Sequence, residues 1–249
     1  MRTTLLLFPI LVLFLSCERE NEGIGNVDDT TSHGGSSEII CDGLFSVSEI
    51  LKVHFAPANL KSGGHGFVAH QYDRGGLFGW GTGNRPTITT IESEDYSLFY
   101  DWGGYNTGGL WRTLSSEEWQ YLLSQRENAR IKYGMGTVLG VPGVVLLPDN
   151  WAQPSGCTFK SGYGWRRNVY DLDQWNKMEK AGAVFLPVAG YRWGMETYYE
   201  GEGGYYWTST TSFPTSPDAN YLCFSDSYLD LGGGPRAMGC SVRLVQDKR

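Results

Sequence analysis

The spacing of apolar residues predicts a first helix near the middle of the chain. Ser115 and Glu118 have the spacing of a capping box, in which the serine side chain and the glutamate side chain each bind the other residue's backbone N–H. Trp119 and Leu122 follow three residues apart, as on one buried helical face. We therefore expect a helix that begins at Ser115 and runs to about Ala129.

A second helix is predicted further along by the same kind of pattern. It should begin near Asp171 or Asp173, since either aspartate can cap a helix N-terminus. Trp175 and Met178 then fall on one side of the helix, and Gly182 suits the left-handed residue that ends it. We expect both helices to have structural roles.

Alternating and continuous apolar runs predict short strands around these helices. Residues 45–48 and 52–55 alternate polar with apolar positions, which indicates an N-terminal hairpin. Residues 143–148 and 182–187 are apolar runs that end in proline, as expected of strands covered on both faces. The two runs resemble each other and suggest a weak internal repeat.

Three late segments, 204–210, 220–224 and 240–245, also have strand-like patterns. Glycine-rich stretches at residues 60–83 and 102–109 predict loops before the first helix. Tyr206 and Trp207 are expected to be core residues.

The first residues predict an export signal. Arg2 is followed by an apolar run at residues 5–15, which is shorter than the roughly 20 residues of a membrane span and suits a signal-peptide core. Ser16 and Cys17 resemble a bacterial lipobox, in which the cysteine is acylated and becomes the first mature residue. The alternative is an ordinary secretory signal with an incidental cysteine.

Three segments are expected along the chain: a lipoprotein signal peptide at residues 1–16, a tether at 17–38 and one domain at 39–249. The tether is rich in Gly, Ser, Thr, Asn, Asp and Glu, and it has too few apolar residues to form a core. Its acidic start at residues 18–22 resembles the surface-export signal of Bacteroidetes lipoproteins. This predicts an outer-membrane protein that is lipid-anchored at the cell surface.

Composition narrows the class of domain and of partner. The 34 glycines, 15 tyrosines and 9 tryptophans favour a turn-rich, β-rich extracellular domain over a helical bundle. The formal net charge of −7 disfavours nucleic acid as a partner, because phosphate binding needs clustered Lys and Arg. The membrane is expected to be contacted only through the lipid anchor.

Four segments together, 111–119, 182–192, 204–210 and 240–245, carry a resemblance to a known family. They resemble the C-type lectin-like superfold, in the branch of the formylglycine-generating enzymes and the fibrobacter major paralogous domain. The resemblance implies an α+β domain with two helices packed on small antiparallel sheets with long loops. It also implies that a long excursion before the last strands forms an exposed ligand face, here residues 191–202 and 213–238.

The cysteines that follow Cys17 allow two disulfides or none. Cys223 and Cys240 lie in strand-like segments that could face each other, and the resemblance implies that these final strands are neighbours. Cys41 and Cys157 are then the remaining pair. The alternative is that these cysteines are free buried thiols.

No catalytic, metal or cofactor site is predicted. The cysteine pair of the oxidising formylglycine enzymes lacks a counterpart here, because Cys223 and Cys240 are seventeen positions apart. His65 and His70 are interpreted as solvated loop residues rather than metal ligands. Asp226 and Asp230 are interpreted as surface acids rather than an acid–base pair for sugar chemistry.

The expected function is recognition of an extracellular glycan or protein by the aromatic late loops, which have a composition like that of antibody paratopes. The candidate ligand-binding residues are Trp193, Tyr198, Tyr199, Glu200, Glu202, Asp226, Tyr228, Asp230 and Arg236. One alternative is an adhesin diversified by a retroelement. Another is a structural or fimbria-associated accessory lipoprotein, which would show an exposed edge strand or a large apolar patch.

Overall fold

The computed structural model describes residues 42–106, 109–213 and 216–248. The described part is a mixed α+β structure of short strands and few helices. The strands are β1 (Phe45–Ser46), β2 (Lys52–Phe55), β3 (Arg112–Thr113), β4 (Tyr133–Val138), β5 (Val141–Leu146), β6 (Val169–Tyr170), β7 (Val184–Pro187), β8 (Tyr191–Trp193), β9 (Glu196–Tyr198), β10 (Gly204–Thr211), β11 (Asp218–Phe224), β12 (Leu229–Pro235) and β13 (Leu244–Asp247).

The α-helices are short. They are α1 (Trp102–Asn106), α2 (Ser116–Gln120) and α3 (Leu172–Lys180), with a π-helical turn at Tyr121–Gln125 directly after α2 and 3-10 turns at Ser93–Tyr96 and Ala129–Ile131. The predicted signal peptide, Cys17, the tether and Cys41 lie outside the described residues.

The strands form four small sheets with orders β1-β2-β13-β3, β10-β11-β12, β6-β4-β5-β7 and β8-β9. The predicted N-terminal hairpin is confirmed, with Phe45 opposite Val53. The two proline-terminated apolar runs form β5 and β7, which pair antiparallel with each other, Val144 opposite Leu186. The first sheet joins the two ends of the domain, because β2 pairs with β13.

The first helix begins as predicted but is shorter. Ser115 caps α2 with Glu118 in a reciprocal capping box. The helical run ends at Gln125 rather than near Ala129, because the backbone of Arg126 is extended there. This bend turns Arg126 inward, where Nε donates to Leu122 O at 2.8 Å. A predicted turn of helix is thus replaced by a buried side-chain contact.

The second helix is confirmed closely. Asp171 is its N-cap in a capping box with Gln174, and the helix ends at Lys180. Trp175 and Met178 are fully buried. Gly182 has a φ of +91°, the left-handed conformation that glycine adopts most easily.

The sheet β10-β11-β12 lies between two apolar clusters. Tyr206, Leu222 and Phe224 point into one cluster, together with residues of β2, α2 and β5. Trp207 and Ala219 belong to the other. Strand alternation therefore gives both faces of this sheet a buried part, and Tyr206 and Trp207 are core residues as predicted.

A buried polar network holds the last strands to the rest of the domain. Arg243, which is 2% exposed, donates from Nε to Asn59 Oδ1 at 2.9 Å and from Nη2 to Phe185 O at 2.6 Å. Asn59 Nδ2 donates to the Tyr206 hydroxyl at 3.0 Å, and that hydroxyl donates to Pro187 O at 2.8 Å. We call these groups the Arg243 network.

The predicted strand at residues 240–245 starts later than expected. Cys240 and Ser241 make only isolated bridges, to Phe78 and Tyr206, and the regular strand begins at Leu244. The expected excursion at residues 213–238 is also more regular than a loop, since β11 and β12 occupy most of it.

The predicted Cys223–Cys240 disulfide is wrong for this structure, in which both cysteines are free. Strand β10 lies between them, since Tyr205 is opposite Cys223 and Tyr206 forms a bridge with Ser241. Residues on either side of an intervening strand are about 10 Å apart, beyond the roughly 7 Å Cα limit of a disulfide.

Cys157 is also a free thiol, and its Sγ lies 3.5 Å from Gln174 O. It is buried, which agrees with the alternative that this cysteine packs as a small hydrophobic residue.

Candidate functional site

The hairpin of β8 and β9 carries the first part of the candidate site. Tyr191 is opposite Tyr198 in its register, and their rings stack with centroids 5.5 Å apart. Trp193 and Met195 lie at the tip, where they are 37% and 81% exposed. Gly194 makes the turn with a φ of +58°. The hairpin thus presents large apolar side chains to solvent.

Tyr191 connects the hairpin to the neighbouring three-stranded sheet. Its ring centroid lies 5.9 Å from that of Tyr199 and 5.2 Å from that of Tyr205 on β10, the latter in an edge-to-face contact. Edge-to-face and offset-stacked rings are the favourable arrangements for aromatic pairs. The hairpin is therefore held against the sheet by tyrosine rings.

The cluster continues across the sheet. Tyr205 contacts Tyr221 of β11 with centroids 5.7 Å apart, and it interacts with Tyr228, which follows the turn after β11. We call the six residues the tyrosine face. They are Tyr191, Tyr198, Tyr199, Tyr205, Tyr221 and Tyr228.

Strand register and glycine explain why these rings meet. Tyr205 is opposite Cys223, and Tyr221 is opposite Gly232 of β12, so that all four lie on one side of the sheet. A methyl group at Gly232 would lie 2.7 Å from Cε2 of Tyr221, and one at Gly234 would lie 3.2 Å from Cε1. The tyrosine ring occupies the space that side chains would otherwise fill.

The candidate aromatic residues are accessible at the surface. Tyr198, Tyr199 and Tyr228 are 44%, 55% and 40% exposed. Tyr199 has a φ of +54°, an uncommon left-handed conformation for a residue other than glycine. A buried position for these side chains would have left no aromatic surface, and the structure places them outside.

Tyr205 and Tyr221 of the tyrosine face keep their hydroxyl groups protonated over the physiological pH range. Burial, with the neighbouring Tyr228 and Tyr221, raises the pKa of Tyr205 well above its usual value. Burial and nearby Cys240, Cys223 and tyrosine side chains raise the pKa of Tyr221 to about 12. The face therefore offers neutral hydroxyls, which can donate and accept hydrogen bonds.

The four predicted acidic residues are exposed, but they have different local contacts. Glu200 forms an ion pair with Arg74. Asp226 Oδ1 accepts from the backbone N–H of Trp165. Asp230 Oδ1 accepts from the backbone N–H of Leu231 at 2.8 Å.

Glu202, the fourth acid, is exposed and has no ion pair within the part of the chain that the structure describes. It follows Tyr199 in the same turn, where its backbone N–H donates to Tyr199 O at 3.0 Å. Among the four predicted acids, Glu202 is thus the one beside the hairpin tyrosines that forms no ion pair within the described residues.

The prediction that Arg236 binds a ligand is wrong, because this residue lies inside the domain. It is 7% exposed, its guanidinium carbon lies 4.7 Å from the centroid of the Trp80 ring, and Nη1 donates to Ser97 O at 3.2 Å. A planar guanidinium packs well against an indole face, and the interior carbonyl satisfies one of its donors. Arg236 is a structural brace and leaves the list of candidate ligand-binding residues.

Sequence reasoning missed Tyr221 as a member of the face. Residues 220–224 were recognised as a strand, and alternation puts Tyr221 on the side opposite Leu222. The glycines of β12, which face it, were a second signal, since a glycine pair in a strand often marks the close approach of another group. Only the register of β11 and β12 shows that Tyr221 lies opposite these glycines.

Within the described residues, no three His, Cys, Asp or Glu side chains converge as metal ligands would. His70 stacks on Tyr72, with ring centroids 4.9 Å apart. Among residues 42–106, 109–213 and 216–248, no helix has both the length and the apolar character for crossing a membrane.

Comparison with protein-family models, with curated proteins and with solved structures found no match. Function therefore has to be inferred from the residues themselves.

Proposed function

We propose that this protein is a cell-surface lipoprotein whose C-terminal domain has a C-type lectin-like fold and binds an extracellular glycan or protein without catalysis. The observation that carries the proposal is the tyrosine face, in which rings from β8, β9, β10, β11 and their flanking turns form one half-exposed cluster. The α+β architecture and the two capped helices support the fold assignment.

The chemistry of the tyrosine face suits recognition. A tyrosine ring offers a large contact area with few torsions to restrict, and its hydroxyl adds a hydrogen bond. Contacts between the rings hold Tyr191 and Tyr205 in place before a ligand arrives. Such preorganisation lowers the entropy cost of binding. Either the apolar side of a sugar or a protein side chain can pack on this surface.

The proposal assigns no catalytic residue. Asp226 and Asp230 are exposed, and each accepts a hydrogen bond from a backbone N–H of its surroundings. We therefore interpret these two residues as polar surroundings of the tyrosine face.

Binding is tested with the full chain carrying Cys17→Ser, which prevents acylation, on glycan and protein arrays. Once a ligand is found, Trp193→Ala, Tyr198→Ala and Tyr199→Ala are each expected to weaken binding about tenfold, as loss of an aromatic contact typically costs about 1–2 kcal/mol. The matched control is Tyr105→Ala, since Tyr105 is 57% exposed and outside the tyrosine face.

Retention on a polysaccharide column separates the two ligand classes. A glycan ligand predicts that Trp193→Ala or Tyr199→Ala abolishes retention while Tyr105→Ala keeps it. If Trp193→Ala, Tyr198→Ala and Tyr199→Ala all bind as well as the parent chain, recognition by the tyrosine face and the hairpin tip is refuted.

Anchoring is tested separately in bacterial cells. Labelled palmitate should be incorporated into the parent chain and lost in Cys17→Ser, and an antibody should reach the domain on intact cells. A chain that takes up no fatty acid, or that only permeabilised cells expose, contradicts the proposed localisation.

A further inference from the structure

Strand β12 forms one edge of its sheet and borders two adjoining grooves. The first groove, of about 490 Å³, is lined by residues of the β1–β2 turn, α2 and Leu231. The second, of about 420 Å³, is lined by Leu123, Tyr133, Tyr163 and the start of β12. Both include Gln120 and Leu231, and their volumes lie in the usual range of ligand pockets, roughly 300–1,000 Å³.

The turn before β12 determines which of its backbone groups face outward. The N–H of Ser225 donates to Tyr228 O at 3.0 Å across a two-residue loop, so this pair is hydrogen-bonded. Hydrogen-bonded pairs alternate along an antiparallel ladder. Counting from Ser225–Tyr228, residues 230, 232 and 234 bond to β11. Leu229, Leu231 and Gly233 consequently direct their N–H and C=O groups away from the sheet.

Two further observations agree that these backbone groups point away from the sheet. The N–H of Leu231 donates to the carboxylate of Asp230, which is expected only if it points away from β11. Pro235, which has no N–H, also occupies an outward position. Within the described residues, the outward C=O groups of Leu229, Leu231 and Gly233 accept no hydrogen bond. The edge therefore offers main-chain groups at a regular spacing.

The walls of the grooves show what kind of segment fits beside this edge. Apolar contacts are available from Leu123, Leu231 and the tyrosines of the second groove. Among the charged lining residues, Glu118 is paired with Arg112. Glu117, Asp230 and Arg130 have no ion pair in the described part of the chain, which leaves an excess of one negative charge.

We propose that β12 is a docking site for an extended peptide segment of a partner protein, which adds a strand to the edge between Leu229 and Gly233. Main-chain hydrogen bonds would hold the segment, alternate side chains would enter the grooves, and a basic residue would meet Glu117 or Asp230. The two surfaces adjoin at Asp230, but none of the six rings of the tyrosine face lines the grooves, so the inference does not depend on the proposed function.

The test is selection of a phage-displayed library of random ten-residue peptides on the full chain carrying Cys17→Ser. We expect enriched peptides with alternating apolar residues and at least one Lys or Arg. Gly233→Pro should weaken binding of the synthetic peptide at least tenfold, because it removes an outward donor without breaking a bond to β11. Gly233→Ala is the matched control and should bind nearly as well as the parent chain.

Two measurements keep the test decisive if Gly233→Pro does not fold. Methylating the peptide's backbone nitrogens one at a time should abolish binding at every second position only, and bound peptide should slow hydrogen exchange at Leu229 and Gly233. The proposal is overturned if no peptide is enriched over a selection without protein, or if methylation shows no period of two. It is also overturned if sedimentation shows a dimer of the parent chain that Gly233→Pro converts to a monomer, because β12 would then pair with a second copy of this chain.

Discussion

Tyr205 and Tyr206 are neighbours in β10, yet they belong to opposite kinds of environment. Tyr206 is fully buried, and its hydroxyl both accepts from Asn59 and donates to Pro187 O in the Arg243 network. Tyr205 is only partly buried and is surrounded by the other rings of the tyrosine face. A shift of one position along a strand exchanges a tyrosine of the core for a tyrosine of the partly exposed face.

Polar groups have different partners in the Arg243 network and in the tyrosine face. In the Arg243 network, every polar side-chain atom of Asn59 and Tyr206 has a partner within the protein. In the tyrosine face, the rings contact each other, and Tyr198, Tyr199 and Tyr228 are at least 40% exposed. We infer that the network fixes the position of β10, and that the fixed strand then positions the face.

The largest expected effect is from Arg243→Met. It removes the donors to Asn59, Phe185 O and Ala56 O and leaves these acceptors buried. We expect the free energy of unfolding to fall by about 3–4 kcal/mol, since each unsatisfied buried group costs about 1–3 kcal/mol. Urea denaturation measures the change in the free energy of unfolding. The control is exposed Arg166→Met, and equal stability of the two variants would contradict a structural role for the network.

The comparison between the two tyrosines is tested by removing one hydroxyl at a time. Tyr206→Phe should lower the free energy of unfolding by about 1–2 kcal/mol, because Asn59 and Pro187 O each lose a buried partner. Tyr205→Phe should change it by less than about 0.5 kcal/mol. Thermal and urea unfolding of both variants provide the measurement. A larger loss in Tyr205→Phe would reverse the assignment of the two environments.

Alkaline titration of the parent chain and of Tyr221→Phe tests the burial of Tyr221 within the tyrosine face. Burial raises the pKa of Tyr221 to about 12, whereas an unfolded tyrosine titrates near about 10. A raised tyrosine pKa contributes stability that is fully present below about pH 10 and is lost as pH rises through the folded value. The part of the ultraviolet tyrosinate signal that Tyr221→Phe removes should therefore rise at higher pH in the native chain than in urea. A Tyr221 signal that titrates alike in both conditions would show that this ring is solvated.

The smallest effect concerns thiol reactivity. Burial, with nearby Asp230, raises the pKa of Cys223 to about 11, so little thiolate is present at neutral pH. Iodoacetamide should label Cys223 slowly in the native chain, and buried Cys240 more slowly still. After unfolding without a reductant, mass spectrometry should find Cys157, Cys223 and Cys240 all alkylated. If Cys223 and Cys240 need a reductant first, they are bridged after all.

Local signals in the sequence were sufficient for the helix starts and for several strands. The caps at Ser115 and Asp171 are set by residues three positions away, so a single sequence reveals them. The paired apolar runs of β5 and β7 were recognised because full burial imposes a continuous apolar pattern. The same reasoning correctly placed Tyr206 and Trp207 in the core.

Long-range packing decided the rest. Arg126 ends a helix early because its partner Asp149 comes from a distant loop. Arg236 is buried because Trp80 provides a ring for it. The position of β10 between Cys223 and Cys240 depends on strand order, which no local pattern encodes. For the candidate site, the exposed tyrosines were predictable from composition, but Tyr221 required the strand register.

The pairing of β2 with β13 also affects how the domain folds. Val53 and Asp247 are opposite each other although almost the whole domain separates them in sequence. Such distant pairing raises the contact order, and domains of high contact order fold slowly, in about milliseconds to seconds. The first sheet stays incomplete until β13 has been synthesised. A chain shortened by the residues of β13 is therefore expected to remain unfolded even though the tyrosine face is intact in its sequence.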